Sequence, residues 1–513
     1  MSAINFLMGD RFPMPGNIQD TDHYNSDPRR RVKIELHIDH IRYSKISFDS
    51  SRPQYCLQAY DRAGNLIRTG FTNAMREEIA FAYVDASRNF ERHFSLSRWS
   101  LFGQSIRQLH DSLNRQPGNS LDQLREALAA AHALLRTELY EEFERHLKDA
   151  FSAQLRSAHY DVRFEFRTLD ETNLYRNLFP TLIESGQPRS PSEVGSGVRN
   201  LLVLALFQAF ARSFRGGAVL GIEEPELYLH PHAQRSLMNQ FEALASDGNQ
   251  IFISSHSSNF IDVTYSDRVV LVERCEDDEG EICTQVRTCH IDDLLLARQT
   301  LHPDRRINEA TLRAYLRNVR TPEMTEPFFS NLVVIVEGQS EKESLPVYAS
   351  FSGLNFDEYG VSIVSANGKT AIDTLYHLYK AHDIKVYVIF DNDVGQRAED
   401  CTYNSVICRM LNIEETEAPR PEVTENYAVI GGNWEAQCAD DISIGNAAYS
   451  GLVQEGRELL GVSGSRGKPL IARYVAQKLC DQGIVPLFVS EIIQAIRAKL
   501  PDRVLRVPDN GRV

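Results

Sequence analysis

The sequence contains no apolar run approaching the ~20 residues that a helix needs to cross a bilayer. Its first residues also lack the basic stretch followed by an apolar stretch that marks a secretion signal. None of the 8 cysteines forms a C-x-x-C pair, which excludes the commonest zinc and redox motifs. These absences predict a cytoplasmic protein without membrane contact, whose thiols stay free because the compartment is reducing.

Basic residues are too few to balance the acidic ones, since 55 Lys and Arg face 70 Asp and Glu. The net charge of −15 argues against a protein that coats nucleic acid through non-specific phosphate contacts. It does not argue against a nuclease, because metal-binding carboxylates themselves add negative charge. A hydrophobic share of 42% predicts a folded chain, and the length predicts about two to four domains.

Hydrophobic patterns along the chain predict α/β domains interrupted by a helical segment. In that segment, apolar residues from Leu121 to Leu139 recur at three- and four-residue steps. The repeat is short for a coiled coil, which favours a buried helical hairpin over an arm for dimerisation. The predicted segments are an α/β head at 1–103 and 159–295, a helical insertion at 104–158, a linker at 296–330 and a second α/β domain at 331–513.

Two adjacent acids follow an apolar strand of the predicted head. The run Ala218–Glu226 (AVLGIEEPE) delivers Glu223 and Glu224, an arrangement that in nucleotide hydrolases serves Mg²⁺ and the attacking water. Upstream, Glu193–Asn200 (EVGSGVRN) presents Gly-Ser-Gly at a helix start, where bare N–H groups favour a phosphate. Downstream, the run IFISSH ends in His256. Taken singly, these patterns are also explained by a solvated strand end, a tight turn and a structural histidine.

Four further carboxylates follow two apolar strands of the second α/β domain. The run LVVIVEG ends in Glu337, and Glu341 falls on the first turn of the helix expected next. The run VYVIFDND ends in Asp391 and Asp393. Because the carboxyl ends of parallel strands share one edge of a sheet, the four acids are predicted to converge. Such oxygen ligands favour Mg²⁺ or Mn²⁺ and in-line phosphoryl chemistry, although each motif alone also fits a solvated loop.

The first set of motifs resembles the ATPase heads of the ABC and SMC class, and most closely those of the OLD (overcoming lysogenization defect) family. These heads carry a segment like IEEPE followed by Leu-His-Pro, found here at 229–231. The resemblance implies that Glu223 and Glu224 are Walker B acids. It also implies that Ser196 and Gly197 are signature residues and that His256 is the switch histidine.

The second set resembles the TOPRIM domain of topoisomerases, primases and OLD nucleases. Glu337 matches its glutamate, and Asp391 and Asp393 match its D-x-D motif. OLD nucleases add a second acid, matched by Glu341, and a distal lysine, matched by Lys468 in GSRGKPLIARYVAQKL. That lysine would stabilise the phosphate during displacement, whereas its alternative is an ordinary turn lysine. Weaker matches of the same domain are Gly368, Lys369 and Glu435.

The sequence has no G-x-x-x-x-G-K-[ST] motif, the phosphate-cradling loop of this ATPase class. Ala3–Gly9 (AINFLMG) resembles the helix that follows the loop, so we expect the sequence to start just after its own loop. The alternative is that the protein naturally lacks the loop and that its head does not hydrolyse ATP. We therefore expect this polypeptide to bind ATP weakly or not at all, and ATP to be a cofactor only of a longer native chain. Equilibrium binding of ATP with Mg²⁺ measures this, and a tight affinity would contradict it.

The resemblance implies an ATP-dependent endonuclease that hydrolyses DNA, in antiphage defence or DNA processing. Its expected fold class is α/β: an ABC-type head lacking its first strand and P-loop, with a helical insertion, then a TOPRIM domain with a central parallel sheet. Glu337 would act as general base or acid, while the other acids hold Mg²⁺ or Mn²⁺. Heads of this class pair, which implies a homodimer or larger assembly, sometimes with a helicase partner. The alternative is an inert scaffold or sensor that dimerises and binds a partner.

Overall fold

The computed structural model divides into two compact units, Met1–His256 and Ser257–Val513. It describes residues 2–154 and 178–500 except for 10–11, 41, 53–54, 69, 80, 98, 116–119, 135, 179, 214–216, 277–279, 319–320, 395–400, 442–444, 463 and 465–466. Within these ranges, no helix has both the length and the apolar character needed to span a membrane.

The described elements of the first unit include both strands and helices. Its strands are β1 (Lys33–His37), β2 (Lys45–Asp49), β3 (Leu57–Tyr60), β4 (Phe81–Val84), β5 (Leu182–Glu184), β6 (Gln187–Arg189), β7 (Val219–Glu223) and β8 (Gln250–Ser254). Its helices are α1 (Ser2–Met8), α2 (Asn73–Glu77), α3 (Phe90–His93), α4 (Leu101–Arg115), α5 (Ser120–Leu134), α6 (Glu138–Gln154), α7 (Ser196–Ser213) and α8 (Pro231–Ser246).

The described elements of the second unit begin with a hairpin and two helices. Its strands are β9 (Val270–Glu276), β10 (Ile282–Thr288), β11 (Leu332–Val336), β12 (Val361–Ser365), β13 (Val386–Asp391), β14 (Glu422–Val423) and β15 (Tyr427–Ile430). Its helices are α9 (Ile291–Leu301), α10 (Glu309–Asn318), α11 (Gln339–Phe351), α12 (Phe356–Tyr359), α13 (Ile372–Lys380), α14 (Asn404–Met410), α15 (Trp434–Asp441), α16 (Asn446–Leu460), α17 (Lys468–Asp481) and α18 (Leu487–Ala498).

A parallel sheet in the order β4-β7-β8 lies in the first unit, beside a separate antiparallel sheet, β1-β2-β3. The middle strand β7 is apolar because both of its faces are covered, and Leu220 and Ile222 are fully buried. Its last residue, Glu223, lies opposite Ser254 of β8. The two strands therefore end together at one edge of the sheet, which holds the acids predicted from the sequence.

The second unit is organised around a sheet in the order β12-β11-β13-β15-β14, in which only the edge strand β14 runs antiparallel. All residues of β11 and β13 are buried. Alternate residues of β11 point to opposite faces, so Val334 joins one apolar cluster and Val333 joins another. Helices thus cover both faces of a central parallel sheet, and the predicted α/β fold class is confirmed.

Helices α4, α5 and α6 lie in the segment predicted as a helical insertion, of which 116–119, 135 and 155–158 are outside the described residues. The preferred interpretation as a buried hairpin is wrong at Leu139 and Ala131, two described members of the predicted apolar face. Leu139 is 74% exposed, Ala131 is exposed and Leu124 is half-buried. Periodicity identifies the apolar face of a helix but not whether a partner covers it. The side chains of the remaining predicted members are not described: Leu121, Leu128 and Leu135.

Residues 296–330, predicted as a linker, pack into the second unit. They include the end of α9 and all of α10, and Leu301, Leu312 and Leu316 are buried in the cluster that contains Val333. An amphipathic helix looks polar on average, although its few apolar residues share one face. The predicted domain limits stay a prediction, and the compact units divide after His256.

Candidate active site

The carboxyl edge of the second sheet brings two acids together. β11 and β13 are parallel neighbours, with Val336 opposite Ile389, so their ends lie side by side. Glu337 follows β11 directly, and Asp391 is the last residue of β13. The backbone N–H of Asp391 donates a hydrogen bond to Glu337 Oε2 at 3.1 Å. The strand pairing therefore places these two predicted site residues in direct contact.

Glu341 reaches the same edge from the first turn of α11. A Cβ atom added to Gly338, the N-cap residue, would lie 3.0 Å from Glu341 Oε2. Glycine at this position thus leaves room for the carboxylate to fold back toward the strand end. Glu341 is only 3% exposed. Burying an acid is unfavourable unless its charge is neutralised or compensated.

Asp393 is held in the loop after β13 with a φ of 52°, in the left-handed region that few non-glycine residues adopt. The intervening Asn392 fixes this loop: its Nδ2 donates to the Pro419 carbonyl at 2.9 Å, and its Oδ1 accepts from the Gly432 N–H at 2.8 Å. The Lys369 ammonium forms an ion pair with Asp393. No sequence signal singled out Asn392, because its partners come from distant parts of the chain.

Glu435, a weak match in the sequence, lies within the influence of the same acids. It stands on the first turn of α15, and its charge acts on both Glu341 and Asp391. The Ser340 hydroxyl donates to Glu435 Oε1 at 2.6 Å, which links α15 to the start of α11. Sequence reasoning missed Ser340, since a serine next to a glutamate on a helix has no distinctive pattern.

Burial and mutual repulsion disturb the protonation of two of these acids. Burial raises the pKa of Glu341 to about 7, and the charges of Glu337 and Glu435 add to the rise. Burial also raises the pKa of Asp391 well above its usual range, again with Glu341 and Glu337 contributing. Asp391 Oδ1 is buried and accepts no hydrogen bond from any described residue. Such an environment favours a bound cation.

The raised pKa of Glu341 predicts that stability depends on pH when metal is absent. The folded protein keeps this proton up to a pKa of about 7, whereas the unfolded chain releases it near 4.5, so stability falls as pH rises between these values. The loss from this group is on the order of 3 kcal/mol. Thermal unfolding in EDTA at about pH 5 and about pH 8 measures it. Glu341→Gln should reduce the difference, leaving the part that the raised pKa of Asp391 contributes, and an unchanged difference would contradict the shift of Glu341.

The donor set at this edge suits a hard divalent cation. Carboxylate oxygens are the ligands that Mg²⁺ and Mn²⁺ prefer, and Asp391 Oδ1 is an open acceptor. Across the described ranges, no three His, Cys, Asp or Glu side chains already form a ligand shell. A cation would therefore have to draw the carboxylates together. The side chains that fit this role are Glu337, Glu341, Asp391 and Asp393, with Glu435 beside them.

Lys468 is the first residue of α17, and its side chain is exposed. Among the described residues it has no hydrogen bond or ion pair, so the structure does not bring it into contact with the acids. Helix α17 packs against α11, the helix that carries Glu341, and the Arg473–Glu343 ion pair joins the two helices at 3.1 Å. The predicted role of Lys468 stays a prediction.

In the first unit, the acids after β7 are fixed by backbone and side-chain contacts. The Tyr83 hydroxyl donates to Glu223 Oε1 at 2.5 Å, and burial together with that carboxylate raises the pKa of Tyr83. Glu224 has a φ of 43°, and its N–H donates to the Ser254 carbonyl at 2.7 Å. The buried Arg88 guanidinium donates to the Glu224 carbonyl at 2.5 Å. Tyr83 and Arg88 were missed because neither belongs to a motif.

Glu226, the last acid of the IEEPE segment, connects the end of β7 to the end of β8. It accepts from the Ser255 hydroxyl at 2.8 Å and from the His256 N–H at 2.7 Å. The His256 side chain is left exposed. Ser196 and Gly197 begin α7, where Ser196 is exposed and Gly197 is half-buried. Contacts among the described residues do not bring Ser196 or Gly197 to Glu223 and Glu224.

Two family profiles match the chain. The profile "AAA ATPase domain" matches residues 18–261, and the profile "Overcoming lysogenization defect protein-like, TOPRIM domain" matches residues 328–393. The second match begins before β11 and ends on the D-x-D motif, so it contains Glu337, Glu341, Asp391 and Asp393.

Curated relatives and solved structures carry the same family description. The OLD nuclease of Thermus scotoductus is 26% identical over 428 residues, which cover 78% of this chain and 77% of that protein. The Old nuclease of Escherichia phage P2 is 26% identical over 245 residues, covering 45% of this chain and 39% of that protein. The C-terminal region of the Burkholderia pseudomallei OLD protein is 19% identical, covers 33% of this chain and 98% of that one, and has a TM-score of 0.25.

Proposed function

This chain is an OLD-family protein that joins an AAA ATPase domain to an OLD-like TOPRIM domain, and from this we propose its reaction. It is a nuclease that hydrolyses phosphodiester bonds, and the proposal is that it cuts DNA internally with Mg²⁺ or Mn²⁺. The observation that carries this proposal is the meeting of Glu337 and Asp391 at the ends of β11 and β13, with buried Glu341 beside them.

The acids would have different parts in this reaction. Glu341, Asp391 and Asp393 would hold the divalent ion, which supplies Lewis-acid stabilisation of the phosphate oxygens. Glu337 Oε2 is oriented by the Asp391 N–H, so Glu337 is positioned to take a proton from the attacking water or give one to the leaving oxygen. Lys468 would neutralise charge on the phosphate, which its exposed ammonium at the start of α17 allows.

If a phosphate-cradling loop completed the head, the first unit would couple ATP to this cleavage. Glu223 would serve the nucleotide's Mg²⁺ and Glu224 the attacking water, since Glu223 ends β7, Glu224 follows it, and Arg88 fixes the loop. Exposed His256, next to the end of β8, would sense the terminal phosphate, and Ser196 and Gly197 would contact nucleotide from the start of α7. The exposed face of α6 around Leu139 supports a homodimer or larger assembly.

The cellular setting is part of the same proposal. Antiphage defence or DNA processing in the cytoplasm, in some cases with a helicase partner, follows from the family resemblance rather than from any contact in the structure. The scaffold alternative would hold if both sites were inert, and the complete set of acids at the edge of the second sheet opposes it, because burying several acids together is unfavourable.

Incubation of supercoiled plasmid DNA with the protein tests the proposal. We expect nicking in the presence of Mn²⁺ or Mg²⁺ and none in EDTA. Circular single-stranded DNA, which has no ends, separates an endonuclease from an exonuclease. Absence of cleavage under all metal conditions would remove the nuclease proposal and favour the scaffold alternative.

A further inference from the structure

Lys369 is a buried cation in an otherwise acidic site. Lys369 is 6% exposed, and its ammonium forms an ion pair with Asp393, which is 9% exposed. A lysine so far from water is tolerated when its charge is compensated. The charge of Asp393 is therefore partly balanced inside the protein.

The turn that carries Lys369 is anchored to the same strand end as the acids. Gly368 has a φ of 124°, which glycine adopts far more readily than other residues, and its N–H donates to the Glu337 carbonyl at 2.9 Å. Lys369 then begins a 3-10 turn, Lys369–Ala371, that leads into α13. The fold itself, rather than a free surface loop, sets the position of the ammonium group.

The charge of the acidic site is consequently uneven. Asp393 is paired with Lys369, whereas Asp391 Oδ1 accepts no hydrogen bond from the described residues. Glu341, which is also buried, lies at the same edge of the sheet as Asp391. A divalent cation binds most favourably where negative charge is unpaired. At Asp393 the cation must first displace the Lys369 ammonium group.

We propose that Lys369 is a resident cation that competes with a divalent metal ion for Asp393. The inference rests on the metal site of the proposed function and adds an order of binding to it. A first ion binds beside Asp391 and Glu341, and Lys369 releases Asp393 only at higher metal concentration. Lys369 thus stabilises the metal-free site and weakens metal affinity on its Asp393 side.

Calorimetric titration of the full chain with Mn²⁺, in the absence of DNA, measures this competition directly. Lys369→Met keeps the length of the side chain and removes its charge, so Mn²⁺ should bind about tenfold more tightly on the Asp393 side. Lys478→Met is the matched control, because Lys478 forms an exposed pair with Glu455 at 3.6 Å and should leave the affinity unchanged. Unchanged or weaker Mn²⁺ binding by Lys369→Met overturns the proposal.

Thermal unfolding gives a second readout that a purely structural ion pair would not produce. In EDTA, Lys369→Met should unfold at a lower temperature than the wild type, because the buried acids lose their counter-charge. Mn²⁺ should reduce this gap in unfolding temperature. A gap of equal size with and without Mn²⁺ would refute the competition. Should Lys369→Met fail to fold, Lys369→Gln and the charge-retaining Lys369→Arg replace it, with Lys369→Arg expected to bind Mn²⁺ as the wild type does.

The metal site and the role of Lys369 can be refuted separately. Absence of Mn²⁺ binding by the wild type would refute the proposed metal site, and the role of Lys369 with it. Normal binding by the wild type together with an unaltered affinity in Lys369→Met, or in Lys369→Gln where it replaces Lys369→Met, would refute only the role of Lys369.

Discussion

Replacement of Asp391 by asparagine should reduce Mn²⁺-dependent nicking of plasmid DNA by about 100-fold or more. Asparagine has nearly the same shape, and the backbone N–H of residue 391 can still donate to Glu337, so the strand end is preserved. The variant loses only the charge of a buried oxygen, Asp391 Oδ1, that is open to a cation. Gel separation of supercoiled, nicked and linear plasmid over time gives the rate.

The same substitution should stabilise the metal-free protein. Burial and the charges of Glu341 and Glu337 disfavour ionised Asp391, so an uncharged side chain removes that repulsion. Lost cleavage with an equal or higher unfolding temperature in EDTA would therefore separate a catalytic defect from misfolding. Glu425→Gln, at an exposed position in the same unit, is the control and should cut normally. Nicking by Asp391→Asn at the wild-type rate would disprove the role of Asp391.

The positions of Glu337 and Asp391 could be predicted from sequence because strands and their ends have strong local signals. An apolar run that ends in an acid fixes both the strand and the place where its last side chain emerges. The pairing of Lys369 with Asp393 could not be predicted in the same way. The two residues are far apart in the chain, and their contact depends on the turn at Gly368 and on the loop fixed by Asn392.

For the helical insertion, the sequence predicts the helices but not which of their faces is buried. Its helices were predictable, since apolar residues recur at helical spacing, but the same spacing fits a buried and an exposed face equally well. Leu139 is 74% exposed, and only tertiary structure reveals this. In the first unit, the motif acids Glu223 and Glu224 were found, whereas Tyr83 and Arg88, which hold that loop, carry no sequence pattern. Motifs identify candidate reactive groups, and they miss the side chains that position them.

A buried ionic network beside Lys369 was also invisible in the sequence. Asp373, on α13, is fully buried and forms an ion pair with Arg298 of α9. His302 Nε2 lies 2.6 Å from its carboxylate, and the Tyr403 hydroxyl donates to it at 2.8 Å. Burial by itself would raise the pKa of Asp373, but the hydrogen bond from His302 and the charge of Arg298 hold it down at about 2. The network ties α9 to the helix that follows the Lys369 turn.

Asp373→Ala should lower the free energy of unfolding of the second unit by about 3–5 kcal/mol, because it leaves Arg298 buried without a counter-charge. Urea unfolding at neutral pH measures this loss. Asp357→Ala, at an exposed position on α12, is the control and should change stability by less than about 0.5 kcal/mol.

The stabilisation by Asp373 should also depend on pH. Because the folded-state pKa of Asp373 lies below the ordinary 3.8, its contribution to the free energy of unfolding is present above that pH and is lost as pH falls toward 2. Wild type and Asp373→Ala should therefore converge in stability in acid, and a constant difference down to about pH 2 would contradict the ionic origin of the effect.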